Sequence, residues 1–175
     1  DIKQMGTLKD KSAAAKFNKK QKELNGLPAM DYEAVNQTKW EYFRLIFKQE
    51  GEKVLASGEF GEFFNANKEW LQPYAVFSYL RDAFQTPNFR EWPRHSVYNA
   101  QDIEKMCRPE SVDYPHIALY YYIQFHLHLQ LVAATKYARE HGVVLKGDIP
   151  DIKQMGTLKD KSAAAKFNKK QKELN

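Results

Sequence analysis

Between positions 31 and 140, apolar residues recur at helical spacing through most of the chain. After Asp31, a residue able to cap a helix, Val35, Tyr42, Phe43, Ile46 and Phe47 fall on one stripe, which predicts a core-facing helix stopped by Gly51. Ser57 opens a short helix with Phe60, Phe63 and Phe64 on one side, and Asn67 opens another carrying Trp70, Leu71, Tyr74, Phe77, Leu80 and Phe84 at offsets near three and four. That aromatic stripe predicts packing. A platform for sugar rings would need its aromatic faces exposed and coplanar rather than wrapped onto a helix. From Gln85 to Tyr98, Pro87, Pro93 and a cluster of polar residues forbid a regular element, with Trp92-Pro93 as a buried anchor for the loop. A short helix follows from Ala100 to Cys107, and Arg108 to Ser111 connect it to what comes next.

The strongest pattern runs from Asp113 to Pro150. Pro115 suits a first helical turn, where a missing N–H costs nothing, and Gly142 suits the position just past a helix end, where φ is positive. The first half of this long helix is apolar or aromatic on almost every face, through Ile117, Leu119, Tyr120, Tyr121, Ile123, Phe125, Leu127, Leu129 and Leu131, so it is expected to be buried. Its last turns carry Lys136, Arg139 and His141, which suit a helix C-terminus. Val143-Val144-Leu145 then reads as a short strand buried on both faces of a parallel sheet, ending in Gly147-Asp148. A helix feeding such a strand is half of a βαβ unit.

The N-terminal stretch has little periodicity before Ser12, which is the expected cap of a lysine-rich helix closed by Asn25-Gly26. Beyond that cap only Phe17 and Leu24 are large and apolar, and such a helix is marginal alone. It is expected to be exposed, with no share in the core.

Four motifs in order carry a resemblance. The run Tyr137-Ala138-Arg139 to Pro150 (YAREHGVVLKGDIP) resembles the helix and third barrel strand of the 4-α-glucanotransferases, the amylomaltase or disproportionating-enzyme family. Glu69 to Phe77 (EWLQPYAVF) is similar to the family's helix with tryptophan-leucine and tyrosine-alanine pairs, and Glu91-Trp92-Pro93 to its tryptophan-proline element. Tyr121 to Leu131 (YYIQFHLHLQL) is closer still to the cytosolic plant-type enzymes and their bacterial relatives. The resemblance spans about Asp31 to Pro150. It implies a mainly α fragment of a (β/α)8 TIM barrel, a helical subdomain followed by one buried parallel strand.

Composition changes this picture in three places. The single cysteine, Cys107, excludes an intrachain disulfide and makes a reducing cytoplasmic setting the default. His126, His128, Gln124 and Gln130 interrupt the longest apolar helix, so a membrane span is not expected. The net charge of +5 invites a nucleic-acid reading until residues 1–25 and 151–175 are seen to be identical. Each copy holds seven lysines against two aspartates and one glutamate, so the copies account for +8 and residues 26–150 carry −3. The basic balance belongs to the copies and marks no nucleic-acid face on the core. Natural repeats diverge, so the second copy reads as a feature of how the chain was assembled. The chain opens on Asp1 rather than Met or a signal peptide, which reads as a processed product or a fragment. The organisation expected is a lysine-rich helical or linker segment at 1–25, the helical subdomain plus barrel strand at 26–150, and the copy at 151–175.

Candidate chemistry is sparse. His126 and His128 sit two apart on a helix and so point about 200° away from each other, which keeps them from sharing a metal ion. Nothing marks Cys107 as a nucleophile. No phosphate-cradling glycine loop, serine nucleophile elbow or metal-spaced cysteine set occurs, and no cofactor is called for. Asp148 stands at the C-terminal end of the expected strand, where barrel enzymes place their chemistry, although position alone leaves open a structural role with loop amides. The resemblance implies that Asp148 lines the subsite of the glucose ring to be transferred, binding sugar hydroxyls. In the family the reaction is a retaining transfer using an aspartate nucleophile and a glutamate acid–base, with a third carboxylate steadying the substrate. All three belong to later strands, so the resemblance assigns no catalytic residue within this sequence. The expected partner is an α-1,4-glucan or malto-oligosaccharide. The rival expectation is a non-enzymatic helical module whose lysine-rich ends meet an acidic partner.

Overall fold

The computed structural model describes residues 2–145. After a 3-10 turn at Ile2–Met5 come five α-helices: α1 Lys11–Asn25, α2 Tyr32–Leu55, α3 Gly58–Phe84, α4 Ala100–Met106 and α5 Tyr114–Glu140, with a second 3-10 turn at Phe89–Glu91. The chain divides into two units, Asp1–Ala133 and Ala134–Asn175. The first holds α1 to α4 and most of α5.

Short polar side chains set the helix starts. Asp31 accepts from the Ala34 amide, Ser57 from Phe60 and Asn99 from Gln101 and Asp102, each satisfying first-turn N–H groups that lack a helical partner. The cap of α1 is Asp10 rather than Ser12: its carboxylate accepts from the Ser12 and Ala13 amides at 2.8 and 3.0 Å, so Ser12 lies inside the first turn. Two expected breaks are absent. Gly51 is buried within α2, which runs on to Leu55, because the Phe47 ring covers its α-carbon. The two helices expected on either side of Asn67 are one, α3. Asn67 donates to the Phe63 carbonyl one turn back and accepts from Trp70 Nε1 instead of capping a new start. Pro73 lies inside this helix and removes one amide from its ladder.

The core forms around α5, whose successive residues face opposite clusters. Tyr121, Ile117 and Phe125 pack with Phe60, Phe63 and Leu71 of α3, and Met106 of α4 and Cys107, which caps it, close that cluster. Tyr122 and Ile123 pack instead with Tyr42 and Ile46 of α2. The burial expected on almost every face therefore holds from Ile117 to Phe125. It does not hold further on: Leu127, Leu129 and Leu131 are exposed. Trp92 is the loop anchor its sequence predicts, buried among Phe77, Phe84 and Phe89 with its indole N–H donating to the Thr86 carbonyl at 2.9 Å, whereas Pro93 is exposed.

The N-terminal segment departs most from expectation, because it shares in the core. Met5 and Leu8 are buried against Tyr42, Ile46, Tyr122 and Ile123, and Phe17 lies 4.5 Å from the Tyr42 ring. The hydroxyls of Tyr122 and Tyr42 donate to the carbonyls of Met5 and Gly6, and the Gln49 amide brackets Thr7 and Lys9. Met5 and Leu8 lie outside any long helix, so no periodicity announces them. Tyrosines of two other helices fix the segment by its backbone.

Of the second unit, Ala134–Leu145 is described. Here α5 ends as its sequence predicts: Gly142 takes φ +72°, its amide donates to Arg139 O and the Val143 amide to Ala138 O, the paired bonds of a Schellman turn. The buried strand expected at Val143–Leu145 is not present. The three residues are irregular and exposed, Val144 by 88%. A parallel strand exists only through ladder partners on neighbouring strands, and no strand occurs among the described residues.

Candidate functional site

Asp148, on which the sequence reading centres, lies outside the described residues, as do Gly147 and the second copy at 151–175. The described residues offer other features for comparison.

A polar groove of about 410 Å³ opens between α2 and the end of α3. Asn36, Gln37, Trp40, Glu41 and Arg44 line it from α2, at spacings that place them on one side of a helix whose Tyr42 and Ile46 face the core. Asp82 and Gln85 face them from α3. The Asp82 carboxylate is held in place: it accepts from the buried Tyr120 hydroxyl at 2.6 Å and from Arg81 Nε at 2.8 Å. Burial, and then the neighbouring Asp82 charge, push the Tyr120 phenol well above its ordinary range, so it remains a donor. Trp40 is partly buried, its ring 5.6 Å from Tyr120, with the Arg44 guanidinium 5.7 Å from its centroid. No motif predicts this groove. The α2 spacing is legible in the sequence, but Asp82 joins it only through packing.

The aromatic stripe of α3 splits in two. Leu71 and Leu80 are buried and Phe84 packs on Trp92, as the packing reading requires. Trp70, Tyr74 and Phe77 are instead exposed by 46, 41 and 36%. Trp70 and Tyr74 meet edge-on at 61° rather than coplanar, and Gln124 of α5 donates to the Tyr74 hydroxyl. Beside them an apolar cavity of about 230 Å³ lies among Val76, Phe77, Trp92, Ile103 and Met106.

His126 and His128 meet different surroundings. The His126 ring lies 4.4 Å from Tyr122, its Nε2 is buried without a hydrogen-bond partner, and burial lowers its pKa. His128 is exposed beside Phe63. Among the described residues no three His, Cys, Asp or Glu side chains gather as a metal site. Cys107 is buried, accepts from the Tyr121 hydroxyl at 3.0 Å, and has its thiol pKa pushed up by burial, the opposite of an activated nucleophile. No helix among the described residues is long and apolar enough to cross a membrane.

Comparison with known proteins now places the chain. The glycoside hydrolase family 77 model, described as 4-alpha-glucanotransferase, matches residues 1–156, and the chain belongs to this family. The match takes in residues 1–25, the segment that folds onto α2 and α5. The chain is 40% identical over 145 residues to 4-alpha-glucanotransferase DPE2 of Oryza sativa subsp. japonica, covering 83% of this chain and 15% of that protein. It is 28% identical over 131 residues to the 4-alpha-glucanotransferase of Chlamydia pneumoniae, covering 73% of this chain and 24% of that protein. With the 4-alpha-glucanotransferase of Chlamydia muridarum it shares 28% over 140 residues, 79% of this chain and 26% of that one. The chain thus spans roughly a seventh to a quarter of the relatives it matches. No solved structure matches it.

Proposed function

We propose that this chain is the helical subdomain and third-strand region of a cytoplasmic 4-α-glucanotransferase that transfers α-1,4-glucan segments between malto-oligosaccharides or larger glucans by a retaining mechanism. The observation that carries this is the family match across residues 1–156, which includes the Gly142 turn and the Asp148 motif. In the whole enzyme Val143–Leu145 gains strand neighbours and becomes a buried strand of a (β/α)8 barrel. Asp148, at its C-terminal end, hydrogen-bonds hydroxyls of the glucose ring being transferred. The nucleophile and the acid–base carboxylate belong to other strands of that enzyme. The 175-residue chain alone is therefore inert toward maltotriose, releasing neither glucose nor longer dextrins.

The test is Asp148→Asn in the full-length parent enzyme. Contacts to hydroxyls that shift as an oxocarbenium ion forms act mainly on the transition state. Both kcat and kcat/KM should fall by at least about tenfold, roughly 1.4 kcal/mol of barrier, with the fold intact. Full activity with a lower melting temperature would instead make Asp148 a structural loop anchor.

A further inference from the structure

The apolar cavity between α3 and α4, walled on a third side by the loop that follows α3, has a lining unsuited to sugar hydroxyls. Phe77, Phe89, Trp92 and Tyr98 contribute aromatic rings, and most of the remaining lining is aliphatic. Asp102 is its one carboxylate and His95 its one basic group. We propose that this cavity binds a small arylalkyl ammonium, its apolar body among the rings and its ammonium donating to the Asp102 carboxylate. The site is separate from glucan transfer and does not depend on the glucanotransferase reading.

Three observations carry it. First, the cavity holds about 230 Å³, and an apolar cavity of about 150 Å³ already takes up benzene, so one ring with a short side chain fits. Trp92 is buried, while Phe77, Phe89 and Tyr98 are exposed and leave a way in. Second, the polar groups of the lining are not all spent. Asn99 uses its side-chain oxygen to cap α4, accepting from the Gln101 and Asp102 amides. The Asp102 carboxylate, by contrast, accepts no hydrogen bond among the described residues, and its ion pair with Lys105 Nζ is stretched to 4.0 Å between two exposed side chains. A pair of that kind contributes little and yields readily to a better cation. Third, the sign of the lining favours a cation. Aromatic rings carry negative faces, and the only fixed charge among the lining residues is the carboxylate.

The experiment titrates the 175-residue chain, labelled at amide nitrogens and methyl carbons, with 2-phenylethylamine, 2-phenylethanol and phenylacetate. These share a ring and a near-equal length but differ in charge. At pH 8 an ordinary histidine is neutral and an alkyl ammonium is charged, so the comparison isolates Asp102. Saturable shifts should appear at the Trp92 indole N–H and the Ile103 and Met106 methyls, but not at Trp40 or Trp70. The ammonium should bind at least about fivefold more tightly than the alcohol, with phenylacetate weakest. Asp102→Asn should bring the ammonium to the level of the alcohol and leave the alcohol unchanged. In the unsubstituted chain, added salt should weaken the ammonium alone, a readout that needs no variant. Silence of the three cavity residues toward the ammonium, or saturation of them by maltotriose, would overturn the site. Equal affinity for amine and alcohol, tighter binding of phenylacetate, or an ammonium affinity indifferent to both salt and Asp102→Asn would overturn the assignment of its ligand.

Discussion

The Tyr120 hydroxyl donates to Asp82 Oδ2 at 2.6 Å, joining the buried middle of α5 to the C-terminal turn of α3. The same hydroxyl lies 3.3 Å from the Ser78 carbonyl, so one phenol serves two acceptors on one helix. Tyr120→Phe keeps the ring contact with Trp40 and removes only these bonds. Asp82 stays accessible to water, with 38% of its side chain exposed, so the loss should be modest, about 1–2 kcal/mol. Chemical denaturation should show that loss without a change in the slope of the transition. An unchanged midpoint would mean that the bond contributes nothing net.

Gly51→Ala sets helix propensity against packing. Alanine in a helix interior gains about 1 kcal/mol over glycine. Here its Cβ would lie 2.5 Å from Cδ2 of Phe47, and the Phe47 ring is itself held 5.4 Å from Tyr122. Overpacking of this kind costs about 1–3 kcal/mol, so the variant should be net destabilised and melt a few degrees lower. A higher melting temperature would show that Phe47 moves aside freely.

The two identical 25-residue copies allow a comparison at one residue. Leu8 is buried against α2 and α5, and Leu8→Ala should cost about 2–4 kcal/mol. Leu158 occupies the same place in the second copy, but the surface that receives this segment is already covered by the first. Leu158→Ala should therefore leave the melting temperature unchanged. Equal losses from the two substitutions would show that each copy has a packing site of its own.

Alkaline stability should follow the tyrosines of α5. Burial pushes the Tyr122 phenol up to about 12, and Tyr120 and Tyr121 shift in the same direction, first through burial and then through Asp82 and Cys107 respectively. In the unfolded chain each ionises near 10. Their contribution is thus fully present below about pH 10 and is lost as pH rises, because the unfolded chain then releases protons from these three phenols that the folded chain retains, and burial raises Tyr42, Tyr79 and Tyr114 in the same direction. The urea midpoint should fall steeply between about pH 10 and 12, with tyrosinate absorbance rising at the unfolding transition. Ionisation of all three in a still-folded chain would contradict their burial.

The sequence by itself determined the helices with local causes. The Asp31 and Ser57 caps and the Gly142 turn are short-range matters of one side chain or one φ angle, and a reader of residues can find them. The alternation of Tyr121 and Tyr122 likewise made α5 a helix buried on more than one side. Tertiary structure decided whatever required a partner distant in sequence. Asn67 has the composition of a cap, yet it binds back into a helix that never breaks. Gly51 has the composition of a stop, yet it is where a phenylalanine ring needs room. Met5 and Leu8 show no period and are core all the same, because tyrosines from α2 and α5 capture the carbonyls of Met5 and Gly6. The Asp82 groove follows the same rule: one wall is a helical spacing readable in α2, but the carboxylate opposite arrives from about 40 residues away, held there by a phenol on a third helix. Val143–Leu145 mark the other limit, since residues with every local preference for a strand form none where no strand among the described residues supplies the ladder.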